Sequence, residues 1–249
     1  MTILKKTLTA LAAGLIMTGG PAFAQDATWT GEGAFNAGVT SGNTDTTDLG
    51  LGLSLARETQ VWKTALDAQA DFGETDGEET KNRIFLAGQL DRQINDRLYG
   101  FGRVSYETDE FSGFENRAFV GGGLGYQVIE SDATTWSLEG GPGLRVDEVR
   151  AFTVDDVTTP AETVESFSVF AASNFAHAFN DNVSFTNDTD VLAAEETTQI
   201  INVTALTAKL TDAFSARVSL DVRHDTDPPI GFESTDTATR IALVYAIGG

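Results

Sequence analysis

The sequence predicts an all-β fold: a transmembrane antiparallel up-and-down β-barrel of about 12 strands, carried behind a cleaved signal peptide. Three observations carry that reading. After residue 28, apolar and polar residues alternate one by one: leucines stand at 49, 51, 53 and 55, and Trp29, Phe35, Ala37 and Val39 share one parity. Period two belongs to a strand with two chemically different faces. The alternating segments are joined in turn by short turns and by longer acidic connections, the pattern of a barrel whose turns face one compartment and whose loops face the other. Finally, nothing after residue 24 is apolar for long enough to cross a bilayer as a helix. Strands are the one spanning form left.

The elements follow in chain order. Residues 1–24 read as a secretory signal peptide. Lys5 and Lys6 give a positive start, Leu8 to Met17 is apolar apart from Thr9, and Ala22-Phe23-Ala24 supplies a small-residue cleavage site before Gln25. The outer-membrane barrel domain is then residues 25–249. Its strands are expected near 28–40, 47–56, 61–73, 82–92, 98–108, 117–128, 135–147, 164–179, 183–191, 198–210, 215–224 and 235–247. Their lengths meet the roughly 9–11 residues that a tilted strand needs to cross the hydrocarbon. Long connections fall at 41–44, 73–81, 109–116, 148–163, 192–197 and 225–234; short ones fall at 57–60, 93–97, 129–134, 180–182 and 211–214. Six loops and five turns put both termini in the periplasm of a Gram-negative cell. Several short connections hold Asn-Asp or Ser-Asp, which tolerate turn geometry.

Composition narrows the function. The chain has 16 Lys+Arg against 37 Asp+Glu, a formal net charge of −21. Such a chain repels nucleic acid, and no nucleic-acid partner is expected. Without cysteine there is no disulfide, no thiolate catalysis and no thiolate metal site. An exported chain without disulfides gains stability from a closed strand ladder instead.

Parity sorts the side chains of each strand. With the more apolar parity facing lipid, the cations that point into the lumen are Lys63, Arg83, Arg103, Arg117, Arg145, Lys209, Arg217, Arg223 and Arg240. The anions are Asp67, Asp71, Asp91, Glu107, Glu139, Asp188, Asp190, Asp221 and Asp236. Nine face nine, the expectation for a neutral lattice in which each buried charge finds a partner. The fifth strand has mixed faces, because Tyr99 and Phe101 share the parity of Arg103 and Glu107. On the lipid parity, Tyr126, Trp136, Phe175, Phe179 and Tyr245 lie near strand ends, where aromatic girdles belong. The glycines at 50, 52, 100, 102, 121–123, 125, 140, 141 and 143 are expected to thin and bend a sheet closing on itself.

Several stretches, in order across residues 28–247, resemble the salt-stress-induced outer-membrane protein family (YdiY-like). They are Trp29-x-Gly31, Thr40-Ser41-Gly42-Asn43-Thr44, Tyr99-Gly100-Phe101-Gly102, Tyr106-x-x-Asp109-x-Phe111 with Arg117, Gly121 to Gly125 with Tyr126, Glu139-Gly140-Gly141-Pro142-Gly143, Asp227-Pro228-Pro229, Thr235-Asp236-Thr237 and Leu243-Val244-Tyr245. The resemblance implies an outer-membrane barrel connected with salt or envelope stress, with no catalytic residues to carry over. One departure is the ending Tyr245-Ala246-Ile247-Gly248-Gly249, where outer-membrane chains usually finish on an aromatic. Ile241, Leu243, Tyr245 and Ile247 still share one face, and assembly by the barrel-insertion machinery is expected.

The chemistry-bearing residues are few. His177 stands between Phe175 and Phe179 and reads as an interfacial ring. His224 ends the eleventh strand, with Asp225 beside it and Ser234 at the start of the next, the one place where a lipid hydrolase could be built. The acidic groups Glu74, Asp76, Glu78 and Glu79, then Asp109, Glu110 and Glu115, then Asp147, Glu148, Asp155 and Asp156 are weak candidates for calcium or magnesium, since none has the spacing of a dedicated calcium loop. The leading reading is a non-enzymatic barrel without cofactors: a narrow cation-preferring pore, or an envelope and salt-stress component. Its expected partners are outer-membrane lipid and lipopolysaccharide, bridged by divalent cations. The alternatives are a hydrolase using His224 and Ser234, and a soluble periplasmic β-sandwich that binds a ligand.

Overall fold

The computed structural model describes residues 29–41, 46–75, 78–154, 157–195, 197–228 and 231–248. The expected leader lies outside them. Fourteen strands alternate with turns: β1 (Trp29–Ser41), β2 (Thr46–Glu58), β3 (Trp62–Thr75), β4 (Glu78–Gln93), β5 (Leu98–Asp109), β6 (Phe114–Glu130), β7 (Thr134–Val149), β8 (Phe152–Val154), β9 (Val157–Thr159), β10 (Glu162–Asn180), β11 (Val183–Ala194), β12 (Thr198–Lys209), β13 (Phe214–Asp225) and β14 (Thr235–Ile247). Twelve form one closed antiparallel barrel in the order β1-β14-β13-β12-β11-β10-β7-β6-β5-β4-β3-β2. β1 closes the ring on β14 from Gly31 opposite Ile247 to Ser41 opposite Thr237. Closure leaves no unpaired edge and overturns the β-sandwich alternative.

Two features depart from the expected strand map. β8 and β9 form a separate two-stranded hairpin inside the connection from β7 to β10, where an unbroken loop over 148–163 was expected. β3 and β4 also run further than expected, to Thr75 and from Glu78, so Glu74 and Glu79 face each other across a ladder rather than in a loop.

Twelve strands bring both ends of the barrel chain to one rim, here the terminal rim. Its five turns share one device. Thr59, Asn95, Ser131, Asn180 and Thr211 each accept a backbone N–H three residues on, from Trp62, Leu98, Thr134, Val183 and Phe214 respectively. A short side-chain acceptor thus replaces a backbone one and fixes the reversal. The long connections lie at the opposite, loop rim.

The outer wall is apolar. Leu49, Leu51 and Leu53 on β2, Ile84, Leu86 and Leu90 on β4, and Ile241, Leu243 and Tyr245 on β14 are all exposed. A soluble protein rarely shows so continuous an apolar surface, whereas a barrel in lipid requires it. The aromatic side chains expected in a girdle do lie toward the terminal rim. There the Phe214 and Tyr245 rings pack 5.3 Å apart, Phe175 packs on Phe185, and Trp136 donates to Ser173 Oγ at 3.1 Å. His177 shares a 2.8 Å hydrogen bond with Thr134 Oγ1 and stands edge-on to Phe179.

Inside, β5 resolves its mixed faces. Tyr99, Phe101, Phe119, Phe170 and Ala172 form a buried cluster with Leu192 packed against it, while Val104 and Tyr106 face out. Several strand glycines have a steric role on the inner face. A Cβ on Gly125 would overlap the Tyr99 ring, and one on Gly143 would overlap Phe119. These glycines leave the volume that the aromatic cluster fills.

Candidate functional site in the barrel lumen

The charged side chains selected by parity meet in two tiers. Toward the loop rim, Asp71 on β3 receives Arg83 at 3.2 Å and Arg240 at 3.6 Å. Arg83 then reaches Glu107 at 2.6 Å, and Arg223 reaches the other Glu107 oxygen. Arg240 also pairs with Asp221. Arg117 reaches Asp225 at 3.2 Å and Asp147 at 3.9 Å, and Arg145 holds Asp147 at 2.8 Å. With its amide oxygen turned toward them, Gln199 accepts from Arg117 and from Arg223 Nε. Asp71 and Arg145 are almost wholly buried. Arg223 on β13 and Glu107 on β5 lie six strands apart in either direction around the ring. Their ion pair therefore crosses the lumen at its widest separation in strand count.

The second tier lies nearer the terminal rim. Arg103 on β5 reaches Asp190 on β11 at 2.7 Å and lays its guanidinium 4.8 Å from the centre of the Phe170 ring. Arg217 binds both oxygens of Glu32. Glu139 accepts from Tyr99 at 2.8 Å and from Gln89 at 2.9 Å, and Gln89 also donates to Asp91. Lys63 stands opposite Asp91 in the ladder; back at the loop rim, Asp236 stands opposite Arg223. Asp67 and Asp188 line the cavity, with no ion pair among the described residues.

Three residues correct the expected neutral lattice. Lys209 pairs with Asp212 in the β12–β13 turn at 3.1 Å and stays out of the network. Asp147 belongs to β7 and points at Arg145 and Arg117, not to an acidic loop. Asp225 likewise turns inward to Arg117. With Glu32 added as well, the acids outnumber the bases among the described lumen residues. A lattice is present, but it is net acidic.

A cavity of about 1010 Å³ runs beside these braces, with lining residues from Trp62 and Glu130 at the terminal rim to Phe111 and Phe232 at the loop rim. That volume matches one small-molecule pocket of roughly 300–1,000 Å³, here spread over the height of a membrane. The cavity is therefore narrow for its length. The aromatic cluster fills the lumen beside this cavity, with Tyr99 in the lining, so Phe170→Ala is expected to open space there and raise single-channel conductance in planar bilayers. Unchanged conductance in a folded Phe170→Ala barrel would remove the cluster from the constriction.

The other candidates do not assemble. His224 Nδ1 shares its hydrogen bond with Thr235 Oγ1 at 2.9 Å, not with Ser234. Ser234 offers its backbone carbonyl to the Asp225 N–H, and the Asp225 carboxylate that could orient an imidazole is held by Arg117. Among the described residues no group of three or more His, Asp or Glu side chains is placed to hold a metal ion. Glu74, Glu78 and Glu79 are exposed at the loop rim, Asp109 Oδ1 caps the Phe111 N–H, and Asp76, Asp155 and Asp156 lie outside the described residues.

Comparison with known proteins agrees with this geometry. A family model described as "Protein of unknown function, DUF481" matches residues 34–247. The chain is 27% identical over 221 residues to "Uncharacterized protein YdiY" of Escherichia coli (strain K12), covering 87% of this chain and 83% of that protein. Among solved structures it resembles the NanC porin, with a TM-score of 0.56, 11% identity, and coverage of 86% of this chain and 100% of that one. It also resembles the translocator domain of the autotransporter NalP from Neisseria meningitidis, with a TM-score of 0.53, 12% identity, and coverage of 87% and 88%. At such identities the likeness to solved structures is one of fold.

Proposed function

The chain belongs to the DUF481 family, and from that premise we propose that it is a non-enzymatic outer-membrane protein whose lumen is a narrow, braced, cation-preferring conduit. It sits in the outer membrane of a Gram-negative envelope with the terminal rim in the periplasm and the loop rim outside. The observation that carries the reading is the Arg223–Glu107 pair across the full ring. A solute large enough to need a general porin cannot pass without breaking it. The excess of lumen carboxylates supports the sign of the preference, since a passage lined by one sign of charge concentrates the opposite ion. The exposed carboxylates at the loop rim add to it and are the groups that divalent cations would bridge to lipopolysaccharide. The resemblance to the salt-stress family supports a role in the envelope under osmotic or salt load.

Reversal potential across a potassium chloride gradient, measured on refolded protein in planar bilayers, tests this. The expected result is small conductance with cation preference that fades as salt rises, because exposed charges are screened beyond a Debye length of about 10 Å at 0.1 M. Neutralising Glu74, Asp76, Glu78 and Glu79 to amides together is expected to weaken the preference and leave the fold intact. Conductance of porin size that admits solutes of several hundred daltons, or anion preference, would overturn the proposal.

A further inference from the structure

The outer wall has one polar window. Among the described residues, every barrel strand except β11 contributes large, exposed apolar side chains. On β11 and β12 the outward face holds, between the Phe185–Leu206 and Val191–Ile200 pairs, the polar residues Asn187, Thr189, Asn202 and Thr204, all at mid-strand. Their opposite parity faces the lumen, as Asp188, Asp190, Ile201 and Val203 show by lining the cavity. The four form one network. Asn187 Nδ2 donates to Thr204 Oγ1 at 2.7 Å, Thr204 Oγ1 donates to Asn202 Oδ1 at 3.0 Å, and Asn202 Nδ2 donates to Thr189 Oγ1 at 2.7 Å. Mid-strand positions lie at the depth where lipid offers no hydrogen-bonding partner.

We infer that this window is an interface at which a second copy of the same chain binds, forming a two-fold dimer in the plane of the membrane. Two free groups decide the partner. Asn187 Oδ1 accepts no hydrogen bond and the Thr189 hydroxyl donates none among the described residues. The window therefore carries both a spare acceptor and a spare donor, neither charged. A partner at this depth must be uncharged and carry the complementary pair, and the same window on a second copy does. A two-fold axis along the membrane normal keeps both copies in one orientation and sets the windows against each other at equal depth, as an isologous contact requires. Ala171 and Ser173 on the outward face of β10 are small, so the two walls can approach closely. This inference is independent of whether the lumen conducts.

The test uses the full mature chain refolded into phospholipid vesicles. The chain has no native cysteine, so a single Val191→Cys beside the window can be joined by a short bismaleimide, with Leu51→Cys on β2 as a control on a remote wall. Val191→Cys is expected to give a covalent dimer and Leu51→Cys none. Asn187→Leu with Asn202→Leu is expected to raise the dissociation constant measured by energy transfer between labelled copies at least ten-fold. The heat-modifiable folded band should persist, because both changes make a lipid-facing wall more apolar. Should that double variant fail to fold, Thr189→Val alone, which removes the spare donor, is expected to weaken association in the same assay. Monomers at every protein-to-lipid ratio, equal cross-linking from Leu51→Cys, association unaffected by the folded variants, or adducts in cell envelopes that contain only a different protein would each overturn the inference.

Discussion

Glu107→Ala is expected to lower the stability of the refolded barrel by about 3–5 kcal/mol, read as a fall in the urea midpoint in lipid vesicles. Glu107 is buried and receives Arg83 and Arg223 together. Its removal leaves Arg83 with Asp71 alone and takes from Arg223 the carboxylate it reaches across the lumen, and that penalty exceeds the worth of either pair. Arg117→Ala, which strands Asp225 and leaves Asp147 to Arg145 alone, and Arg103→Ala, which strands Asp190, are expected to act in the same direction. Glu78→Ala, exposed at the loop rim, should stay within about 0.5 kcal/mol of the parent. Equal midpoints for Glu107→Ala and Glu78→Ala would show that the lumen charges are solvated individually and brace nothing.

The second large effect is steric. Gly123→Ala is expected to abolish most of the heat-modifiable folded band, a loss at or beyond the usual overpacking range of about 1–3 kcal/mol. A Cβ at Gly123 would overlap the carbonyl oxygen of Gly140 and lie 2.8 Å from Gly141 Cα. Both obstacles are backbone, held by the ladders that β7 makes with β6 and β10, so neither can swing aside as a side chain would. Gly102→Ala is the matched control, because a Cβ there meets nothing within 4 Å. If the two alanine variants fold to the same extent, close approach of β6 and β7 is not what the glycines serve.

Much of this fold could be read from the sequence, because membrane strands obey one strict rule: each residue faces either lipid or lumen. That rule placed Leu49, Leu51 and Leu53 outside and Arg83, Arg103 and Arg223 inside, and the turn residues Asn95 and Asn180 marked reversals. It weakened where the rule does not apply. β4 begins at Glu78 and β6 at Phe114, ahead of the first expected residues, since strand ends beyond the hydrocarbon are polar on both faces and carry no period. The β8–β9 hairpin lies in such a region too. In the lumen, hydropathy misled where the inner face is itself apolar. Tyr99, Phe101, Phe119 and Phe170 point inward, and the signal that could have found them was the inward parity of Gly121, Gly125 and Gly143, vacant volume awaiting rings. Asp147 and Asp225 were missed because they end strands, and Glu32 because Gly31 and Gly33 on either side of it give no apolar contrast to mark its face. The expected approach of Ser234 to His224 failed on a different ground: catalysis needs particular side chains together in space, and nearness along a barrel chain does not by itself bring them together.

The Arg223–Glu107 pair also bears on how long the barrel lasts once made. Its members are 116 residues apart in the chain, whereas each hairpin ladder joins near neighbours. Local pairing can build most of the wall before β13 stands opposite β5, so this contact forms only as the ring closes, when the long intervening chain is already ordered. Interactions absent until after the transition state leave the rate of formation unchanged and slow the reverse reaction. The pair that crosses the lumen is therefore expected to act as a late-closing latch as well, setting the lifetime of the closed barrel rather than the speed of its formation.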